Sequence, residues 1–173
     1  DPAHIGWIFN ENGVYKSADL DQTTPTWTLK LSAAAIATAT GSTLVTASVA
    51  NKMLGSPNQQ NYIAVFYNTN SNTKTWCAFT EDGGTNWTHT TIISSGSTRE
   101  TNPGAVDIVP HTVSGSLTLY MADFPTRTIY RSTDKGATWG ARGTWPAGSV
   151  YSRCLHCPYE GNDDGQLLYL TTS

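Results

Sequence analysis

The segment Ser132-Thr133-Asp134-Lys135-Gly136-Ala137-Thr138-Trp139 constrains the chain more than any other. It follows the pattern Ser-x-Asp-x-Gly-x-Thr-Trp, and each fixed position has a mechanical role. Short Ser and Asp side chains bond backbone N–H groups two or three residues on and fold the chain back. Gly136 supplies a backbone angle that a residue with a Cβ adopts only at a cost. Trp139 opens the next strand with a large apolar ring, suited to wedging between neighbouring sheets. The segment before it, Thr128-Ile129-Tyr130-Arg131, is β-branched and aromatic and predicts a strand. Together they specify a hairpin.

The hairpin recurs, and self-similarity has to be settled before single elements are assigned. Thr80-Glu81-Asp82-Gly83-Gly84-Thr85-Asn86-Trp87 repeats the pattern, with Thr for Ser and Asn for Thr, after the strand-like Thr75-Trp76-Cys77-Ala78-Phe79. A decayed copy is Ser17-Ala18-Asp19, whose Trp27 arrives late, after an insertion that contains Pro25. The three aspartates are 63 and 52 residues apart, a spacing that suits one four-stranded blade per repeat. In this pattern the chain resembles the Asp-box (bacterial neuraminidase repeat) β-propellers of the sialidase-like superfamily. The resemblance implies an all-β fold of four-stranded antiparallel blades, with Ser17, Asp19, Trp27, Thr80, Asp82, Gly84, Trp87, Ser132, Asp134, Gly136, Thr138 and Trp139 as structural box residues at the outer rim, away from the central pocket.

Composition agrees with an extracellular all-β protein. Only 13% of the 173 residues are charged and 10% are aromatic, and Thr, Ser, Asn and Gly crowd the sequence. A net charge of −3 without a basic run gives no reason to expect nucleic acid. No stretch approaches the roughly 18 apolar residues of a membrane span; the Ala-rich run from Leu31 to Thr40 is too short and too polar. No signal peptide precedes Asp1-Pro2, so the expectation is a mature, processed or partial chain. No cofactor is expected.

Strand-like segments follow one another along the chain. Blade 1 (1–40) takes His4–Phe9, Val14–Ser17 and Trp27–Leu31 as its second to fourth strands. Blade 2 (41–95) takes Thr43–Val49, Tyr62–Tyr67, Thr75–Phe79 and Trp87–Ile93, with a polar loop over Asn51–Asn61. Blade 3 (96–148) takes Gly104–Val109, Ser116–Met121, Thr128–Ser132 and a strand around Trp139–Trp145. Tyr151–Tyr159 and Gln166–Leu170 begin blade 4 (149–173). Three and a half blades do not close a ring, so the remaining blades, or another chain, are expected to cover the open edges.

Propeller ligands meet the central mouth, where the lead-ins to the innermost strands lie. Ser97-Thr98-Arg99-Glu100-Thr101-Asn102-Pro103-Gly104 resembles the Arg- and Glu-bearing lead-in of sialidase-like glycosidases. Val150-Tyr151-Ser152-Arg153 loosely resembles the loop that carries their nucleophilic tyrosine. The resemblance makes Arg99, Glu100, Tyr151 and Arg153 the candidate ligand-binding residues: an arginine fork grips a sugar carboxylate, and a tyrosine–glutamate pair serves as nucleophile. As ordinary residues they are a solvated loop pair and strand-edge side chains. The Arg-Ile-Pro signature and a full arginine triad are missing, and no catalytic residue is assigned.

Asp1-Pro2, Val109-Pro110 and Cys157-Pro158 resemble a loop of xyloglucan-cleaving propellers, which use paired aspartates; Asp107, Asp163 and Asp164 match none of their motifs, and Asp163-Asp164-Gly165 reads as a hairpin turn. Cys154 and Cys157 flank His156 as Cys-x-x-Cys. On a strand, positions three apart face opposite ways, and no second ligand pair exists, so with Cys77 these are packed thiols or a local disulfide rather than a metal site. Two functions follow: a secreted or cell-surface module that binds a glycan or protein or serves a structural role, or a fragment of a glycoside hydrolase, sialidase-like or xyloglucanase-like.

Overall fold

A computed structural model describes residues 4–44, 52–56, 59–69, 74–93, 103–110, 117–123, 126–146, 152–156 and 169–172. Within them, strands run in chain order into four antiparallel sheets in which sequence neighbours are paired. Sheet I is β1 (Gly6–Asn10), β2 (Gly13–Ser17) and β3 (Thr28–Ser32). After helix α1 (Ala33–Thr40) comes sheet II: β4 (Lys52–Gly55), β5 (Ile63–Asn68), β6 (Thr75–Thr80) and β7 (Thr88–Ile93). Sheet III is β8 (Pro103–Pro110), β9 (Leu117–Asp123), β10 (Thr128–Ser132) and β11 (Gly140–Thr144). Sheet IV pairs β12 (Ser152–His156) with β13 (Tyr169–Thr172).

The sheets pack face to face, and alternation along β5 shows how. Ile63, Val65 and Tyr67 join Val14, Leu31 and Ile36 in a core between sheets I and II. Tyr62, Ala64 and Phe66 face the other way, into a core with Cys77, Leu117, Leu119 and Met121 between sheets II and III. Sheet II is thus buried on both faces, and β5 is apolar almost throughout instead of alternating with polar residues. The first strands of sheets II, III and IV lie together, β8 having Cα atoms within 8 Å of both β4 and β12.

One expectation is corrected. The strand paired with β5 is Lys52–Gly55, inside the stretch expected as a polar loop; of the expected strand Thr43–Val49, Leu44 bridges Thr69, and residues 45–49 lie outside the described residues. Four residues between polar neighbours give too short an apolar run for pattern to register. The Ala-rich run after Leu31 forms helix α1, an element absent from the strand pattern. The Ser32 hydroxyl caps it by accepting from the Ala35 N–H at 3.0 Å, Gly41 ends it at φ +69°, and Ile36 anchors it in the core. Among the described residues no helix is long and apolar enough to cross a membrane.

Candidate functional site

The three Ser/Thr-x-Asp hairpins spend their carboxylates on their own turns. Ser132 donates its hydroxyl to Asp134 Oδ1 at 2.7 Å and accepts the Gly136 N–H at 2.8 Å. Asp134 in turn accepts from the Thr138 N–H at 2.8 Å and from its hydroxyl at 2.6 Å. Thr80, Asp82 and Gly84 repeat this, the Asn86 N–H and side-chain amide replacing Thr138 at 3.0 and 2.7 Å. In the first hairpin Asp19 accepts from Ser17 at 2.6 Å and reaches the Thr26 N–H at 2.9 Å, seven residues on instead of four. The bonds from Asn86 hold the Asp82 carboxyl far below its usual range, and those from Ser17 and Thr26 lower Asp19. For Asp134, burial works against ionisation, but the bonds from Thr138 and Ser132 outweigh it. These groups are anchors, already saturated with donors.

Each complete hairpin also seats on the preceding sheet. Gly136 faces Cys77 and Phe79, and Gly84 faces Trp7 and Lys30 of sheet I. Thr90 donates to the Gly136 carbonyl at 2.7 Å, and Lys135 pairs with Glu81. Trp139 bonds the same carbonyl at 3.0 Å and meets Phe66 edge-on, with ring centroids 5.8 Å apart. Trp87 packs partly against the core between sheets I and II. Trp27 instead stands 36% exposed.

Beside this docking seam lies a cleft of about 340 Å³, at the small end for ligand pockets, lined by His4, Ile5 and Trp7 in and before β1 and by Gly55, Ser56, Gln60, Tyr62 and Ile63 at the β4–β5 connection. His4 bonds Asp21 through its backbone N–H at 3.4 Å and through ring Nδ1, and that ring contact holds the Asp21 carboxyl below its ordinary range. Lys16 sits 5.2 Å from the Trp7 ring centre. The cleft offers an indole, an amide and an imidazole around one concavity, the imidazole being the ring that bonds Asp21. Sequence gives no signal for it, because its walls come from segments some fifty residues apart that meet only through sheet stacking.

Arg99, Glu100 and Tyr151 lie outside the described residues, as do Cys157, Asp163 and Asp164. Arg153 falls on β12, at an irregularity of register between Ser152 and Cys154, and Asp107 falls on β8. Cys77 is fully buried, and burial pushes its thiol well above the ordinary range. Among the described residues no group of three His, Cys, Asp or Glu side chains is placed to hold a metal ion.

One acid passed over in the sequence stands out. Asp123, the last residue of β9, has no exposed surface. Its Oδ2 accepts from Thr126 N–H and hydroxyl at 3.1 and 2.5 Å, while Oδ1 has no partner among the described residues. Burial raises its pKa against the opposing bonds from Thr126. Its backbone pairs with Pro103, the first residue of β8, which the 94–102 segment leads into. An aspartate closing a strand reads as a turn former, so nothing in the sequence marks its burial.

Comparison with protein-family models and with curated proteins gives no match to this chain.

Proposed function

We propose that the chain forms part of a secreted or cell-surface Asp-box β-propeller, with sheets I to IV as successive blades, and that it works as a glycan-binding module. Sequential antiparallel sheets stacked face to face, with β4, β8 and β12 brought together, support the propeller arrangement. The cleft between sheets I and II carries the binding assignment. A sugar ring offers an apolar C–H face to an indole and hydroxyls to an amide and an imidazole, the groups that Trp7, Gln60 and His4 present there.

Titration of the isotope-labelled chain with a panel of neutral and acidic oligosaccharides, followed by amide shifts, tests this. The expected result is saturable change at Trp7, Gln60 and Ser56, weakened about tenfold or more in Gln60→Ala. No binding at millimolar sugar, or binding that ignores Gln60→Ala, rejects it.

Asp123 favours a second reading, a fragment of a glycoside hydrolase. A buried carboxyl held towards its protonated form is what a general acid requires, and the segment carrying Arg99 and Glu100 leads into the strand beside it. Hydrolysis of an aryl glycoside by the chain, abolished in Asp123→Asn with the fold intact by circular dichroism, would replace the first reading with this one.

A further inference from the structure

The second hairpin carries a pattern that its turn alone does not require. Asn86-Trp87-Thr88 is Asn-x-Thr with x other than proline, the acceptor sequence for an N-linked oligosaccharide, and no other asparagine of the chain has Ser or Thr two residues on. So short a motif also arises by chance, and its structural setting decides: an acceptor belongs on a surface turn. Asn86 is exposed at the end of the Asp82 turn, and Thr88, the first residue of β7, is exposed as well. Trp87, between them, packs against the core between sheets I and II and fixes the two polar side chains at the surface.

The turn itself does not call for asparagine. In the third hairpin Thr138 fills this position, giving Asp134 its backbone N–H at 2.8 Å and its hydroxyl at 2.6 Å. Asn86 serves Asp82 in the same way, with its N–H at 3.0 Å and Nδ2 at 2.7 Å. Threonine would close the turn, whereas only asparagine can accept the sugar. We infer that Asn86 is the N-glycan acceptor of the exported chain. Its Nδ2 displaces the pyrophosphate of a lipid-linked oligosaccharide: the Nδ2–C1 bond forms, the bond from C1 to the pyrophosphate oxygen breaks, and Nδ2 gives up one proton. The hydrogen that stays on Nδ2 leaves a donor for Asp82. Transfer precedes docking of the hairpin, because Trp87 packs the segment against the core once the sheets have stacked. The sugar then stands beside the cleft, since the Gly83 N–H of the same turn donates to the Asn61 carbonyl at 3.0 Å, next to Gln60 in the cleft wall. Such transfer presupposes the secreted or cell-surface reading, but not glycan binding by the cleft.

Translation of the 173-residue chain behind a cleavable leader, with rough microsomes present, tests it. The protease-protected product should gain the mass of one oligosaccharide and lose it to endoglycosidase H. Peptide mass spectrometry after peptide N-glycosidase should find aspartate where Asn86 stood. Thr88→Ala and Asn86→Thr should each abolish the gain completely. Asn86→Thr installs the donor that the third hairpin already uses, so an unchanged thermal midpoint of that variant separates loss of the acceptor from loss of the turn. A protected chain of unchanged mass, or a gain that survives Asn86→Thr, overturns the proposal. Because the leader is supplied, either result leaves the secreted reading standing. Recovery of the natural protein from the cytosol of its source, with no sugar on Asn86, would remove that reading and the acceptor role with it.

Discussion

The phenol of Tyr62 donates a hydrogen bond of 2.8 Å to the backbone carbonyl of Lys135, seventy-three residues away, and so ties the core of sheet II to the turn of sheet III. The ring is 1% exposed and stacks on Phe79 with centroids 6.3 Å apart. Burial raises the phenol above its ordinary range, keeping the proton that the bond needs.

Replacing Tyr62 separates the bond from the packing. Tyr62→Phe removes only the hydroxyl and is expected to cost about 1 kcal/mol. Tyr62→Ala leaves a cavity between two sheets and should cost about 3–5 kcal/mol. Urea denaturation at equilibrium measures both. Equal losses in the two variants would mean that the ring contributes little.

The tryptophans that end the hairpins should differ sharply. Trp139 is partly buried against the core between sheets II and III, so Trp139→Ala is expected to cost about 3 kcal/mol, the low end for a buried aromatic. Trp27 follows an insertion that carries it out of that geometry, and Trp27→Ala should stay within about 0.5 kcal/mol in dilute solution. Thermal melts at low concentration check the ranking; a stable Trp139→Ala variant would rule out the wedge role.

Local physics made much of the fold legible. A strand followed by Ser-x-Asp-x-Gly encodes its own turn, since every bond from Asp134 and Ser132 falls within six residues, and β10 lies where the sequence puts it. Helix α1 was hidden because its eight residues are too few to show a helical period, although its alanines favour helix and Ser32 and Gly41 cap it. The cleft and the burial of Asp123 were not legible at all. Both come from stacking between or at the ends of sheets, which periodicity within a strand does not encode.

Acid should weaken the fold in two stages. Tyr67, fully buried, shares a 2.7 Å hydrogen bond with Nδ1 of His89, and burial depresses the His89 pKa. Between the unfolded value near 6.5 and the lower folded value, the unfolded chain binds a proton that the folded chain does not. Stability therefore falls as pH drops below about 6.5. The lowered carboxyls of Asp19, Asp82 and Asp134 contribute stability above their unfolded value, so a second loss begins as pH falls below about 4. Denaturation midpoints from pH 8 to 3 should show both, and His89→Gln should flatten the upper stage alone.

Glycine at position 136 does two jobs at once. Its φ of +94° disfavours any L side chain, and an added Cβ would come within 3.3 Å of both Cys77 Sγ and Phe79 Cδ1. Gly136→Ala therefore strains the turn and pushes sheet III away from sheet II, for an expected loss above about 1 kcal/mol. Gly140, four residues on, has a free surround, with nothing within 4 Å of the built Cβ, and Gly140→Ala should be neutral or slightly stabilising. Loosened docking has a second readout: the Cys77 thiol, inert while buried, should react with iodoacetamide faster in folded Gly136→Ala than in the unsubstituted chain, scored on the Cys77 peptide by mass spectrometry. Unchanged reactivity together with lost stability would confine the effect to the turn itself.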